Sequence, residues 1–385
     1  MSPTGGHDGK LRVVTLVDRL GTGGAERLAI QTTTRLDPER FDRTLVASRD
    51  FGVAVSKQHV ANALEDLRRA GVRVIGLKRT SARQVWAWWP LYRLLRRERV
   101  DVLHSHKFGS NLWGTVVGRL ARVPVIVAHE HTWSYEGQPL RKLADRAVIA
   151  RGSSAFVAVS REDQRRMIEV ERIRPEDTLF IPNGIPAPPA ASGNDVRAEL
   201  GIPADGPVIG TVSVLRPQKA LDVLLRATKI LVQEFPGLRV LIAGEGDRRF
   251  ALEDLATELG LDDTVMFLGV RTDVPDVLES LDVAVSTSDF EGSPLSVMEY
   301  MEAARPIVAT RVGGVPDLID DGVHGRLVEP QDPSAFAEAV AGLLRDPEAA
   351  RQMGERARER RRSEFDIDVM VRRLEQLYEE LRAKA

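Results

Sequence analysis

The strongest constraint on the fold is an alternation of short apolar segments with segments of helical period, which runs along almost the whole chain. The apolar segments are rich in Val, Ile, Leu and Ala. Strands that are apolar throughout and separated by helices are typical of parallel sheets covered on both faces. The predicted strands are residues 11–17, 43–48, 72–77, 101–106, 124–129, 155–160 and 177–182, followed by 207–215, 238–244, 264–270, 282–288, 305–311 and 325–330.

The alternation is interrupted once, by the segment IPNGIPAPPAASGND at residues 181–195. Its Pro, Gly, Ala and Ser content is typical of a linker between domains. We therefore predict an α/β protein of two doubly wound domains, residues 11–185 and 186–366, after a disordered tail at residues 1–10. Two helices rich in Arg and Glu are predicted to end the chain, at about 347–363 and 367–382. Ligands bind such sheets at the carboxyl ends of the strands, so the cleft between the domains is the expected site.

The composition excludes several functional classes. The chain of 385 residues has no cysteine, which rules out disulfides, thiolate metal sites and a cysteine nucleophile. It contains no run of about 18 apolar residues that could span a bilayer. The polar start MSPTGGHDGK lacks the apolar centre of a signal peptide. These features predict a cytoplasmic protein.

The net charge of −2 conceals two halves of opposite sign. Residues 1–185 contain 31 Lys and Arg against 20 Asp and Glu, a net charge of +11. The remainder contains 23 basic and 36 acidic residues, a net charge of −13. One interpretation is that the first half meets an anion, such as a phosphate-bearing ligand or a membrane surface. The other is that a basic domain packs against an acidic one.

The loops after the predicted strands contain the residues that an anion site needs. Glycines allow close backbone approach, helix N-termini offer N–H groups, and cations lie near them. In the first half these residues are Gly21, Gly23 and Gly24 in GTGGAER, His104 and His106 in DVLHSH, and His129 and His131 in HEHTW. In the second half they are Arg216 and Lys219 in VLRPQKALD, Gly244, Arg271, Gly313 and Gly314.

Two carboxylates, Glu291 and Glu299, flank a predicted helix start in DFEGSPLSVMEYM. Ser293 suits the N-cap and Pro294 the first helical position. The helix N-terminus between the two acids itself attracts anions. The spacing fits a ligand site, and it equally fits a helix with solvated acids on its flank.

Other patterns also allow two interpretations. GTGGAE resembles a dinucleotide-binding loop, but it lacks the third spaced glycine and an acidic residue about 20 positions later, so it also fits a tight turn. The histidine pairs 104/106 and 129/131 each put both rings on one face of a strand. A metal site there is conceivable, although no firm carboxylate partner accompanies them.

An aromatic and basic segment stands apart from these loops. It contains Trp86, Trp88, Trp89 and Tyr92, followed by Arg93, Arg96, Arg97 and Arg99. Such a segment could contact a membrane surface. It could equally pack a helix on its sheet.

The ordered set of motifs resembles the retaining glycosyltransferases of family 4, which have the GT-B fold, over about residues 11–365. Glu291 and Glu299 with the following ARPIVATRVGGVPDLI are similar to the family signature. GTGGAER resembles the N-terminal glycine loop of the family, and DVLHSH and EHT resemble its first-domain histidine motifs. IPNGI resembles its interdomain segment and LRPQKALD its phosphate-binding turn. One position departs from the pattern, because Val214 stands where the family often has an arginine, and Arg216 is the nearest alternative.

The resemblance implies two Rossmann-like domains that face each other across a cleft, the first binding an acceptor and the second a UDP- or GDP-sugar. It implies a final helix, 367–385, that crosses back to the first domain. The implied catalytic residues are His131, Glu291, Arg216 and Lys219. The implied donor-binding residues are Gly23, Gly24, Arg216, Lys219, Gly244, Arg271, Glu291, Gly292, Ser293, Pro294, Leu295, Ser296 and Glu299. The implied acceptor-binding residues are His104, His106 and Glu130.

The implied reaction needs no divalent metal and no cofactor, because cations and helix N–H groups would stabilise the leaving diphosphate. The acceptor would be a sugar, a lipid-linked hydroxyl or another hydroxyl in polysaccharide, glycolipid or glycoconjugate synthesis, with peripheral association at the inner face of a membrane. No nucleic-acid partner is expected. Two rival hypotheses are an oxidoreductase that binds a nicotinamide cofactor at GTGG, and a protein that binds a nucleotide sugar without transferring it.

Overall fold

A computed structural model describes residues 9–21, 23–49, 57–81, 84–131 and 138–385. Most of the predicted N-terminal tail and Thr132 of the EHT motif lie outside these residues. The chain divides into two compact units. The first comprises Met1–Gly184 and Ile367–Ala385, and the second comprises Ile185–Asp366.

The first unit is built on a seven-stranded sheet in which every neighbouring pair is parallel. Its strands are β1 (Leu11–Val17), β2 (Phe41–Arg49), β3 (Arg73–Arg79), β4 (Val102–His106), β5 (Val125–His129), β6 (Ala155–Ala158) and β7 (Thr178–Phe180). They lie in the order β3-β2-β1-β4-β5-β6-β7. The order reverses direction between β1 and β4, where Leu16 is paired with Ser105.

Helices cover both faces of this sheet. They are α1 (Gly24–Arg35), α2 (Lys57–Arg69), α3 (Trp89–Arg97), α4 (Phe108–Ala121), α5 (Pro139–Ala144) and α6 (Arg161–Glu169). A 3-10 turn, Val85–Trp88, precedes α3, and a π-helical turn, Asp145–Ala150, continues α5. On α3 the apolar side chains of Leu91 and Leu95 are buried in the core.

The second unit repeats the design with six parallel strands in the order β10-β9-β8-β11-β12-β13. The strands are β8 (Val208–Val212), β9 (Arg239–Ala243), β10 (Val265–Gly269), β11 (Val283–Ser286), β12 (Ile307–Thr310) and β13 (Arg326–Val328). The helices are α7 (Val196–Glu199), α8 (Leu221–Leu231), α9 (Arg249–Glu258), α10 (Val274–Glu279), α11 (Leu295–Glu302), α12 (Val315–Leu318), α13 (Pro333–Arg345) and α14 (Pro347–Glu364). Here the order reverses between β8 and β11.

The final helix, α15 (Ile367–Lys384), belongs to the first unit. Its side chains Met370, Leu374 and Tyr378 are buried in one cluster with Val13 of β1 and Val127 of β5. The predicted α/β class, with two doubly wound parallel sheets, is confirmed. No helix in the described ranges is long and apolar enough to cross a bilayer.

Candidate active site

In the second unit, the loops after β8 and β11 are joined by hydrogen bonds. The N–H of Asp289 donates to the carbonyl of Gln218 at 2.9 Å, and the Gln218 side chain donates to the carbonyl of Phe290 at 2.9 Å. The Thr287 hydroxyl donates to the carbonyl of Lys219 at 2.9 Å. These two loops follow the strands between which the sheet order reverses, which is where doubly wound sheets bind ligands.

A cation and a carboxylate meet at this junction. The Nζ of Lys219 lies 2.6 Å from Oε1 of Glu291, and the Ser288 hydroxyl donates to the same oxygen at 2.7 Å. The Glu291 side chain is 8% exposed and that of Lys219 is 19% exposed. The structure therefore brings together two of the predicted catalytic residues, and holds them where little water can screen their charges.

Two glycines let the loops after β9 and β12 lie close to the loops after β8 and β11. Gly313 has a φ of +50°, and a Cβ there would lie 1.6 Å from the carbonyl oxygen of Glu291. Gly244 has a φ of +139°, and a Cβ there would lie 1.8 Å from the carbonyl oxygen of Ser213. A larger residue at either position would displace the loop beside it. Gly244 and Gly313 therefore help to fix the loops after β8 and β11.

The helix that follows Glu291 begins one residue later than predicted. α11 starts at Leu295, and Pro294 takes the cap position with an extended backbone, φ −72° and ψ 114°. The prediction that Ser293 is the N-cap is therefore wrong by one position, as helix ends read from local preference often are. Gly292, Ser293 and Pro294 are buried, and the first helical residues, Leu295 and Ser296, are half-buried. Glu299 is also half-buried, on the second turn of α11.

The two predicted donor-binding arginines differ in their surroundings. Arg216 caps the 3-10 turn Pro217–Lys219, is exposed, and forms an ion pair with no carboxylate in the part of the chain that the structure describes. Arg271 follows β10 and is held by Glu199 and by Asp273, each at 2.6 Å. Arg271 would have to exchange these partners to reach a ligand. Its donor contact stays a prediction.

In the first unit, four histidines form a stacked cluster at the carboxyl ends of β4 and β5. Nδ1 of His106 lies 2.9 Å from Nε2 of His131, and Nε2 of His104 lies 3.2 Å from Nδ1 of His129. The centroids of the His129 and His131 rings are 4.5 Å apart. Nδ1 of His104 also lies 2.6 Å from the Tyr378 hydroxyl on α15.

Burial keeps these imidazoles uncharged. It lowers the pKa of His129 to about 3 and the pKa values of His104, His106 and His131 well below their ordinary value, and nearby imidazoles lower the last three further. The cluster therefore offers neutral hydrogen-bonding groups at neutral pH. Possible ligand atoms of His104, His106 and His129 lie within 4.8 Å of one another, so the metal interpretation of these residues keeps geometric support.

The glycine loop of the first unit lies against a carboxylate. Gly23 is the N-cap of α1, and a Cβ there would lie 2.5 Å from Oε2 of Glu26. Glu26 in turn pairs with Lys107, the residue after β4. Gly24 is the first residue of α1. The N-terminus of α1 in this unit therefore already lies close to the carboxylate of Glu26.

A second buried acid lies beyond the histidines. Asp145 is fully buried at the start of the π-helical turn, and neither of its carboxylate oxygens has a hydrogen-bond partner in the described residues. Burial, together with the nearby negative charges of Glu171 and Glu130, raises the pKa of Asp145 to about 8. Glu130 is itself buried, directly after β5 and next to His131.

Several of these residues were not predicted from the sequence. Lys107 follows a strand as His131 does, so the same rule of searching the carboxyl ends would have found it. Tyr378 lies 274 positions from His104, and no local pattern indicates their contact. Asp145 stands in LADRAVIA, where it resembles an ordinary solvated acid of a helix.

Both units match known protein families. Residues 22–187 match the model of Glycosyltransferase Family 4, and residues 193–360 match that of Glycosyl transferases group 1. An α-1,3-galactosyltransferase of Escherichia coli that uses UDP-Gal and α-D-GlcNAc-diphosphoundecaprenol is 25% identical over 92% of this chain and 93% of its own length. The D-inositol 3-phosphate glycosyltransferase of Thermobispora bispora is 30% identical over 73% of this chain and 71% of its own.

Among solved structures, HepE of Anabaena in complex with UDP has a TM-score of 0.83 with this chain. It is 21% identical and covers 96% of this chain and all of its own. At that identity the likeness supports the fold.

Proposed function

This chain belongs to glycosyltransferase family 4, the group 1 glycosyl transferases, and on that premise we propose that it transfers a hexosyl group from a UDP- or GDP-sugar to an acceptor hydroxyl, with retention of anomeric configuration and without a metal ion. Membership confirms the resemblance drawn from the motifs. It also makes the chain a glycosyltransferase that acts on nucleotide sugars. The oxidoreductase hypothesis is set aside, because both units match glycosyltransferase models.

The observation that carries the proposal is the contact between Lys219 and Glu291 where the order of the second sheet reverses. Breaking the bond from the anomeric carbon to the diphosphate leaves added negative charge on the phosphate oxygens. Lys219 and the exposed Arg216 would stabilise that charge. The N–H groups of Leu295 and Ser296 at the start of α11 would add partial positive charge.

The adjacent carboxylate would hold the other side of the breaking bond. In this proposal Glu291 accepts hydrogen bonds from hydroxyls of the donor sugar, while Lys219 turns to the diphosphate. Glu299, on the second turn of α11, accepts from the two ribose hydroxyls, since a carboxylate offers two oxygens. Glu291 and Glu299 would thus hold the two sugars of one donor, with the diphosphate at the helix N-terminus between them.

Retention without a protein nucleophile requires attack from the face that the leaving group vacates. The bond from the anomeric carbon to the diphosphate oxygen breaks, and the acceptor oxygen forms a new bond to that carbon. The acceptor proton passes to the departing phosphate oxygen, which leaves the nucleoside diphosphate as the second product. His131, held neutral by burial, would donate a hydrogen bond to the donor sugar without adding a charge.

We assign the acceptor to the first unit, with Gly23 and Gly24 allowing the backbone to approach the ligands and with Glu130, His104 and His106 near the acceptor. The net charge of +11 over residues 1–185 favours a phosphate-bearing acceptor. The lipid diphosphate acceptor of the Escherichia coli relative supports a lipid-linked hydroxyl. Such an acceptor would place the protein at the inner face of a membrane.

Thermal unfolding of the purified protein with UDP, GDP and ADP, and then with the matching nucleotide sugars, tests the donor. A ligand at 100 times its Kd stabilises the folded state by about 2.7 kcal/mol, so we expect one nucleotide to raise the midpoint clearly. The anomeric configuration of the transferred sugar, measured by NMR, tests retention. Repeating the reaction in EDTA tests metal independence.

The variant that tests the role of Glu291 is Glu291→Ala. It should still bind the nucleoside diphosphate but should lose the slow hydrolysis of the donor. Binding of a nucleotide sugar without any turnover by the unaltered protein would favour the non-catalytic hypothesis. An inverted anomeric centre, or activity that EDTA abolishes, would contradict the proposed mechanism.

A further inference from the structure

One surface of the first unit carries arginines without carboxylate partners. We call it the α3–α4 arginine face, and its members lie on α3, at the end of α4 and in the residues that follow each helix. All are exposed, and within the described ranges none forms an ion pair. They are Arg93, Arg96, Arg97, Arg99, Arg119 and Arg122.

Among the described residues, the side-chain hydrogen bonds of this face go to backbone carbonyls. Arg96 donates to the carbonyl of Ala121 at 3.5 Å, and Arg119 donates to that of Arg151 at 3.4 Å. A carbonyl does not cancel the charge of a guanidinium. The positive potential of this face is therefore not neutralised by its hydrogen bonds.

Two of the acids beside this face are already paired with other cations. Glu98 forms its ion pair with Arg73, and Asp101 pairs with Arg382 at 3.0 Å. Among the described residues that line the adjoining cavity, the exposed Asp42 is the one further carboxylate, against the six arginines of the face. A surface with this excess of positive charge indicates an anionic partner.

Exposed aromatic side chains lie at the start of α3 and in the turn that precedes it. Trp86 is 72% exposed and Trp89 is 58% exposed, and Trp89 stacks on Tyr92 with ring centroids 5.1 Å apart. Trp89 and Arg93 are four positions apart and so lie on one face of the helix. Leu120, at the end of α4, is 67% exposed. Large apolar rings beside unpaired arginines are typical of a surface that enters the interface of a bilayer.

A cavity of about 1080 Å³ continues the face at the amino ends of the strands. Four of the six arginines line it: Arg96, Arg97, Arg99 and Arg122. A cavity of this size, lined by guanidinium groups that can bind phosphate oxygens in pairs, suits a phosphate-bearing headgroup.

We propose that the α3–α4 arginine face docks the first unit on an anionic lipid bilayer, with Trp86, Trp89 and Leu120 in the interface and the arginine-lined cavity holding lipid phosphates. This docking goes beyond sugar transfer and does not depend on it. It would bring the first unit to a membrane whether or not the acceptor is a lipid. An anionic bilayer accounts for the exposed rings and for the cations together.

Vesicle sedimentation without any nucleotide sugar tests this docking. The unaltered protein should sediment with vesicles that contain about a third phosphatidylglycerol in phosphatidylcholine, and should stay in solution with phosphatidylcholine alone. Each arginine near an anionic surface strengthens binding about fivefold, so Arg93→Gln, Arg97→Gln and Arg122→Gln together should weaken it about a hundredfold. Added salt should weaken it as well.

The matched control changes the net charge equally on exposed positions of the second unit, through Arg226→Gln, Lys229→Gln and Arg351→Gln. Its vesicle binding should change less than threefold, and both triple variants should keep the circular dichroism spectrum of the unaltered protein. Trp86→Ser with Trp89→Ser should reduce binding while leaving every charge in place, which separates insertion of the rings from simple attraction.

Three outcomes would overturn the proposal. One is equal binding to neutral vesicles, and another is an equal loss in the two triple variants. The third is complete displacement from the vesicles by inorganic diphosphate at the same phosphate concentration, which would make the cavity a site for a soluble anion. Failure here leaves the donor-binding and product experiments unaffected, so the two proposals fail separately.

Discussion

The loops at the carboxyl ends of the two sheets differ in the charge of the side chains that we assign to the reaction. In the second unit they present charged groups, because Lys219 and Glu291 lie in contact and Arg216, three residues before Lys219, forms no ion pair among the described residues. In the first unit the corresponding loops hold histidines whose pKa values are all lowered by burial. Fixed charge suits the binding of a diphosphate, whereas uncharged imidazoles suit contact with sugar hydroxyls. The folds are alike, so the difference arises from a few loop residues.

The largest expected effect comes from removing the cation of the second unit. Lys219→Ala should lower the rate of donor turnover about 10²- to 10³-fold, as the loss of one fixed group that stabilises developing charge typically does. The variant also leaves Glu291 buried without its cation. Release of the nucleoside diphosphate from the donor, followed over time, measures the rate.

Lys229→Ala is the matched control, because Lys229 is an exposed lysine near the end of α8 and outside the proposed site. Its turnover should equal that of the unaltered protein. Thermal midpoints of both variants separate a lost cation from a lost fold. A reduction of less than tenfold in a folded Lys219→Ala protein would remove this lysine from the mechanism.

The fold could be predicted because its signal is local. Each of the thirteen strands forms inside or close to its predicted range, since an apolar run between helical segments is visible in a short window. The two long C-terminal helices also form near their predicted bounds. The start of α11 was missed by one residue, because preference at a helix end is weak beside the packing of the loop that precedes it.

The site was only partly predictable, for the opposite reason. The motif residues Lys219 and Glu291 could be named in advance, but their contact spans 72 positions. The pairing of Arg271 with Glu199 spans the same number and could not be read from either segment. The charge state of Asp145 depends on complete burial, which the polar letters around it do not indicate.

The next largest effect tests that buried acid of the first unit. Its pKa is about 8 in the folded protein and 3.8 when unperturbed, so between these values the folded state holds a proton that the unfolded state has lost. The unaltered protein therefore loses stability as the pH rises. Asp145→Asn cannot titrate, so its unfolding free energy relative to the unaltered protein should rise by about 2.5 kcal/mol between pH 5.5 and 7.5.

Urea unfolding at several pH values measures this difference. Any constant cost of burying the amide of the variant cancels, because only the change with pH is compared. A difference that stays flat across this range would mean that Asp145 is not protonated in the folded protein. The first unit would then also carry a charged side chain, and the contrast in charge between the two units would be lost.

The smallest effect concerns the neutral histidines and has the opposite sign. The pKa of His129 is about 3 in the folded protein and 6.5 when unperturbed. Below pH 6.5 the unfolded state therefore binds a proton at this histidine and the folded state does not. The unaltered protein therefore loses stability as the pH falls. Between pH 7.5 and 5.5 this histidine should lower the free energy of unfolding of the unaltered protein by about 1.4 kcal/mol, and the His129→Asn variant should lack that decrease.

The same urea series measures it, with His324→Asn in the second unit as the comparison. His324 also has a lowered pKa, but it is only partly buried and lies beside Arg360 and Asp320, so its change with pH should be smaller. An equal change in the two variants would mean that the histidine cluster is no more protected from protonation than a surface histidine. The uncharged character of the first unit would then not be set by its burial.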